Sequence, residues 1–141
     1  MSAGDFYFAI NATFRQLHET YGEEALIAYW TAMAREYHAG VAELFRRDGL
    51  AGAHRYWEDY FAAEPGGTVI VSRTEREVEI EVQDCPAIRW LVTGGREVVP
   101  YYCQHCRYIS GAIAAQAGMK FELSGGGGTC HQVFSRVETN P

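Results

Sequence analysis

The hydrophobic pattern of this chain changes its period at Thr68, and this change constrains the fold more than any other sequence feature. Before Thr68, apolar residues recur at steps of three and four, the spacing that places them on one face of a helix. This pattern predicts three helices in the N-terminal half, over residues 5–21, 23–47 and 50–63, with Gly49 as the stop signal after the second.

After Thr68, apolar and polar residues alternate, as they do in a strand with one exposed face. The predicted strands cover residues 68–72, 77–82, 119–123 and 129–137, and two further helices cover residues 87–92 and 100–117. Successive strands joined by short turns favour β-hairpins. The sequence therefore predicts one α+β domain over residues 1–141, with a helical N-terminal half packed beside a small antiparallel sheet built from two β-hairpins.

Length and charge limit what this domain can do. The chain has 141 residues, enough for one domain with its own core, and its net charge of −6 argues against nucleic-acid binding. No apolar run approaches the roughly 20 residues of a membrane span, and the N-terminus lacks the basic and apolar segments of a secretory signal. We expect a cytoplasmic protein that acts on a small molecule, without nucleic-acid or membrane partners. Homo-oligomer formation stays open.

The four cysteines all lie in the second half of the chain, around the stretch Tyr101–Arg107. Cys103 falls in the first turn of the last predicted helix, where unpaired N–H groups and the helix dipole stabilise a thiolate nucleophile. His105 points away from Cys103 at helical spacing, so His131 on the last strand is the freer candidate base. Cys130 alternates with His131 along that strand, so only one of the two can face a given pocket.

Two other interpretations of the cysteines remain open. Cys103-x-x-Cys106 has the spacing of half a zinc site, and Cys85 and Cys130 would complete four sulfur ligands. Structural zinc sites usually combine two paired knuckles, whereas Cys85 and Cys130 stand alone in the sequence. We therefore expect no cofactor, with zinc as the alternative. Free cysteine is also among the most buried residue types, so simple packing is the third interpretation.

Four short motifs occur in an order that is similar to a known family. Tyr21-Gly22-Glu23-Glu24 opens the aromatic helix, and Cys85-Pro86-Ala87-Ile88 follows the second predicted strand. Tyr102-Cys103-Gln104-His105-Cys106 comes next, and then a glycine-rich turn and Cys130-His131-Gln132-Val133-Phe134. Over most of its length the chain thus resembles L-2-amino-thiazoline-4-carboxylic acid hydrolase-like proteins.

The resemblance implies hydrolysis of a cyclic amidine-like carbon in a thiazoline ring, with Cys85, Cys103 and Cys130 matching the recurrent cysteines of the family. A carbon between a ring sulfur, a ring nitrogen and an amino group becomes electrophilic once its nitrogen is protonated. A thiolate or an activated water attacks that carbon, and the ring sulfur leaves.

The substrate of such an enzyme also carries a carboxylate, which needs a cation or a helix N-terminus. Arg107 and the start of the last helix could supply both, and Arg89 is a second option. We expect Tyr102 and His105, the neighbours of Cys103, to contact the substrate as well.

The sequence leaves two functional classes open. One is a small cysteine-dependent hydrolase or related ring-acting enzyme, and the other is a non-catalytic small-molecule or zinc-binding domain that uses the same cysteine cluster. In both cases we expect Cys103 and Cys130 to share a concave site near the glycine run at residues 125–128. If the protein is an enzyme, we expect Cys103 to carry the reactivity.

Overall fold

The computed structural model describes residues 2–137, so residue 1 and residues 138–141 of the predicted domain lie outside the described residues. The helices are α1 (Ala3–Tyr21), α2 (Glu23–Ala32), α3 (Ala39–Ala63), α4 (Pro86–Thr93) and α5 (Gln104–Gln116). The strands are β1 (Thr68–Arg73), β2 (Glu77–Asp84), β3 (Met119–Gly126) and β4 (Thr129–Arg136). This content confirms the predicted α+β class. Within the described range, no helix combines the length and the apolarity of a bilayer span.

Two β-hairpins form one antiparallel sheet in the order β1-β2-β4-β3, as the sequence predicts. The pairing of β2 with β4 joins the two hairpins. Alternation along β2 turns Val78, Ile80 and Val82 to the inner face of the sheet, where none is more than 3% exposed. The glutamates between them point to the outer face, so only the inner face packs against the helices.

Phe134, on the inner face of β4, lies at the centre of the core between the sheet and the helices. Its ring centroid is 5.7 Å from Phe45, 5.9 Å from Trp57 and 4.8 Å from Phe121. Phe45 and Trp57 belong to α3, whereas Phe121 belongs to β3. These contacts hold the longest helix against the sheet, because aromatic side chains bury a large apolar area.

A second hydrophobic cluster joins α1, α2 and α4. Phe14 packs edge-on against Trp30 with centroids 5.3 Å apart, and Leu91 and Tyr102 are buried in the same cluster. Cys85 packs against this cluster and also against the core below the sheet. The start of α4 therefore lies at the boundary between the two clusters.

The second predicted helix, over residues 23–47, is interrupted. α2 ends at Ala32, a π-helical segment covers Met33–Tyr37, and His38 forms a turn before α3 begins. Gly49, the predicted stop, has the non-helical dihedrals φ 65° and ψ −147°, so α3 consists of two helical segments that meet at a kink there. Glycine adopts this positive φ without the steric cost of a side chain. The apolar stripe continues across the break at His38, so the periodicity gave no sign of that break.

The last helix begins later than predicted. The Tyr102 N–H donates to the Val99 carbonyl over 3.0 Å, so Pro100 opens a turn rather than the helix. α5 starts at Gln104, and Cys103 becomes its N-cap residue instead of a first-turn residue.

The glycine-rich turn is also shorter than predicted, because Gly125 and Gly126 extend β3 and only Gly127 and Gly128 connect it to β4. Gly125 has φ 92°, and a Cβ added there would lie 2.6 Å from the Thr129 carbonyl oxygen. A side chain at this position would force the hairpin apart.

Two isoleucines on paired strands test the assignment of the inner face. Ile80 on β2 is fully buried, whereas Ile70 on β1 is 48% exposed. We expect Ile80→Ala to lower the free energy of unfolding by about 2–5 kcal/mol, because it leaves a cavity in the core. Ile70→Ala removes the same atoms from a strand and should cost less than about 1 kcal/mol. Urea denaturation measures both. Equal losses would contradict the assignment.

Candidate active site

A cavity of about 540 Å³ lies between the helices and the inner face of the sheet. Its volume is typical of small-molecule sites, which span about 300–1,000 Å³. All four cysteines and ten aromatic side chains line it. The aromatic residues are Phe6, Tyr7, Phe14, Tyr29, Tyr37, Tyr56, Trp57, Tyr60, Phe61 and Tyr102. The π-helical segment contributes Met33 and Tyr37, and π-helical turns are frequent at functional sites.

Cys103 lies at the start of α5, against the glycine turn. The Gly127 N–H donates a hydrogen bond to the Cys103 sulfur, with the nitrogen and sulfur 3.4 Å apart. The Gly126 backbone also approaches closely, since a Cβ added there would lie 3.9 Å from the same sulfur. Backbone N–H donors and helix N-termini favour the anionic form of cysteine, which is the nucleophilic form.

Cys106 forms a pair with His105, which the sequence analysis missed. His105 Nδ1 lies against the Tyr102 carbonyl oxygen, so Nδ1 carries the ring proton and Nε2 is left as an acceptor. Nε2 is 3.5 Å from the Cys106 sulfur. Burial lowers the pKa of His105 and raises the pKa of Cys106 to about 11, so both groups are neutral at neutral pH. Adjacent helical residues rarely face each other, and helical spacing alone therefore gave no signal.

Cys85 and Cys130 face the same cavity from other directions. Cys85 is the N-cap residue of α4, and burial raises its pKa to about 11, although the Ile88 and Ala87 amides act in the opposite direction. Cys130 lies on the inner face of β4 and accepts a hydrogen bond from Gln132 Nε2 at 3.5 Å. Burial raises its pKa too. The structure thus brings Cys130 and Cys103 to one cavity, and all four cysteines are free.

Three other residues that the sequence analysis placed near the cysteines lie elsewhere. His131 alternates with Cys130 and points to the outer face of the sheet, where its Nε2 is 3.1 Å from Glu79 Oε2. Arg107 is exposed and donates to the Leu123 carbonyl at 3.3 Å. Arg89 pairs with Asp84 at 2.6 Å. None of these side chains lines the cavity.

Tyr102 and His105, the other two expected substrate contacts, do line the cavity. Tyr102 is buried, and its pKa is raised by that burial and by the negative charge that the nearby Cys106 carries once it is ionised. Its hydroxyl therefore stays protonated and can donate a hydrogen bond.

Among residues 2–137, no group of three His, Cys, Asp or Glu side chains is arranged as a metal site. The zinc arrangement stays a prediction from sequence spacing.

Glu64 is a further cavity residue that the sequence analysis did not identify. It is the C-cap residue of α3, and it accepts a hydrogen bond from the Tyr7 hydroxyl. Burial and the Glu64 carboxylate together raise the pKa of Tyr7. In the sequence, Glu64 opens a Pro-Gly-Gly chain break, and its partner lies 57 residues away. No local pattern could have connected the two.

Comparison of this chain with models of known protein families gives no match, and comparison with curated proteins gives none either. The resemblance to thiazoline-carboxylate hydrolases therefore stays a prediction.

The environments of the cysteines predict an order of alkylation. We expect iodoacetamide to modify Cys103 first, because its sulfur lies at a helix start beside the Gly127 N–H, whereas burial raises the pKa of the other three cysteines. Cys85 and Cys106 should react slowly at neutral pH and faster only as the pH approaches about 11, where their thiolate fractions rise.

Peptide mapping after alkylation at graded pH measures this order. Cys103 and Cys106 share one tryptic peptide, so fragment ions must distinguish them. Cys130, whose pKa burial also raises, is an internal comparison on a separate peptide. Modification of Cys85 or Cys106 before Cys103 at neutral pH would contradict the assignment.

Proposed function

We propose that this protein is a small cysteine-dependent hydrolase that opens a cyclic amidine-like ring, with Cys103 as the nucleophile. One observation carries the proposal. The Cys103 sulfur lies at the N-terminus of a helix, in the wall of a cavity of ligand size. It also accepts a hydrogen bond from a backbone N–H. A nucleophilic cysteine needs such a partly exposed and electropositive environment.

The chemistry is a double displacement at one carbon. The Cys103 sulfur bonds to the central carbon of the amidine, whose nitrogen is protonated. The ring C–S bond then breaks, and the departing sulfur takes up a proton. Water then adds to the same carbon, and the Cys103 sulfur leaves. The net change is the addition of one water, which converts the ring to a ureido thiol. The covalent intermediate divides one difficult hydrolysis into two easier steps.

His105 is the base that we assign to the second step. Its lowered pKa keeps the imidazole neutral at neutral pH, and its bond to the Tyr102 carbonyl fixes the tautomer in which Nε2 is the proton acceptor. The side chain lines the cavity next to Cys106. This role replaces His131, which points to the opposite face of the sheet.

The aromatic residues of the cavity wall also suit a planar cyclic substrate. Flat rings such as Tyr60 and Trp57 can stack on a planar heterocycle and exclude water from the reacting carbon.

We also place the activity in the reducing cytoplasm, because a catalytic thiol has to stay unoxidised.

Substitution of the two assigned residues tests the mechanism. We expect Cys103→Ser to lower kcat/KM for a cyclic amidine such as 2-aminothiazoline by at least about a hundredfold, because it removes the nucleophile. His105→Gln should cost about 10²–10⁴-fold, the usual contribution of a general base. His54→Gln, on α3 outside the cavity lining, is the matched control. Product chromatography measures turnover, and thermal denaturation confirms that each variant is folded.

Full activity in Cys103→Ser would refute the assignment of Cys103 as the nucleophile.

A second candidate function, a non-catalytic small-molecule carrier, is favoured by the raised pKa values of Cys85, Cys106 and Cys130, since neutral thiols are good packing groups. Tight ligand binding with no turnover by the wild-type protein would select the carrier.

A further inference from the structure

The charges in the cavity wall are strongly unbalanced. Among the described residues Glu64 is the only acidic one that lines it, and no lysine or arginine does. His38 and His105 also line it, but burial lowers the pKa of both, so they add no positive charge at neutral pH. The wall therefore presents one carboxylate and no fixed cation.

The Glu64 carboxylate is held in place by Tyr7, whose hydroxyl donates to it. Within residues 2–137, no lysine, arginine or histidine forms an ion pair with it. Burial raises the pKa of the nearby Tyr60, and the Glu64 carboxylate adds a smaller effect in the same direction. A carboxylate with one neutral donor keeps further acceptor capacity, which a cationic N–H group can use.

Aromatic faces beside this carboxylate favour the same kind of ligand. Tyr60 packs against Trp57 with centroids 5.5 Å apart and stacks on Tyr56 at 6.2 Å, and all three rings line the cavity. The negative face of an aromatic ring attracts organic cations, and tryptophan and tyrosine do so best. A carboxylate and a cluster of such rings together form a site for a flat, positively charged group.

We propose that the cavity selects a flat hydrophobic organic cation, such as an amidinium, whose charged group binds at Glu64, and that it rejects carboxylates. This proposal rests on the proposed function in one respect, which is that both concern the same cavity. The charge preference itself does not require catalysis. A thiazoline that bears a carboxylate would bring a second negative charge next to Glu64, and neither Arg107 nor Arg89 lines the cavity. The substrate of the ring-opening reaction is therefore a cyclic amidine without a carboxylate.

Three ligands of nearly equal shape test the charge preference without any reaction. They are 4-phenylbenzamidine, 4-phenylbenzamide and 4-phenylbenzoate, which are respectively cationic, neutral and anionic and contain no ring that hydrolysis can open. Isothermal titration with the wild-type protein should show the amidine binding at least about tenfold more tightly than the amide. The benzoate should bind more weakly than either.

Glu64→Gln should reduce the affinity for the amidine to that for the amide, because it removes the charge but keeps an acceptor for Tyr7. Glu58→Gln removes a charge from the exposed face of the same helix, outside the cavity lining, and should change nothing. Equal or tighter binding of the benzoate, no effect of Glu64→Gln, or no binding of the amidine would overturn the inference. A protein that binds the amidine but never opens a ring would instead refute the catalytic function alone.

Discussion

The pairing of β2 with β4 is the contact on which the candidate site depends. It places Val82 opposite Cys130, and the Cys85 N–H just beyond β2 donates to the Gly128 carbonyl over 2.9 Å. Two cysteines 45 residues apart in the sequence thereby reach one cavity. The bond from Cys85 to Gly128 also holds the β3–β4 turn against the end of β2, and the Gly127 amide of that turn contacts the Cys103 sulfur. A one-residue shift in register would turn Cys130 to the outer face and remove it from the site.

The cavity combines two demands that oppose each other. Apolar and aromatic walls exclude water, and this burial raises the pKa of Cys85, Cys106 and Cys130, which keeps them as unreactive thiols. A nucleophile in the same wall needs a local source of positive potential. Cys103 has this source in the start of α5 and in the Gly127 amide. Among the described residues no lysine or arginine lines the cavity, so these backbone dipoles are the source of positive potential that the proposed nucleophile has there.

Much of the fold could be predicted because hydrophobic periodicity is a local signal. The switch at Thr68 separated helices from strands, and the positive φ at Gly49 explains why a glycine marked the end of one helical segment. The break at His38 was missed, because the apolar stripe runs through it. Strand alternation predicted that Cys130 and His131 point to opposite faces of β4, and the burial along β4 follows that alternation.

The remainder of the site depends on contacts that sequence spacing does not encode. The His105–Cys106 pair arises from side-chain rotamers on adjacent positions, and the contact between Tyr7 and Glu64 joins two distant helix ends. Arg107 looked suitable as an anion ligand because it follows Cys103, yet it points away to Leu123. Proximity in the chain was a poor guide at a helix start, where each residue turns the side chain by about 100°.

Trapping of the covalent intermediate tests the central claim most directly. In His105→Gln the second step should be slow, so an acid quench during incubation with 2-aminothiazoline should capture the enzyme with the opened ring attached. The leaving sulfur stays tethered to the attacked carbon, so the account predicts a mass increase equal to the whole substrate. Fragment ions should place it on Cys103. The absence of an adduct while His105→Gln still turns over substrate, or an adduct on another cysteine, would contradict Cys103 as the nucleophile.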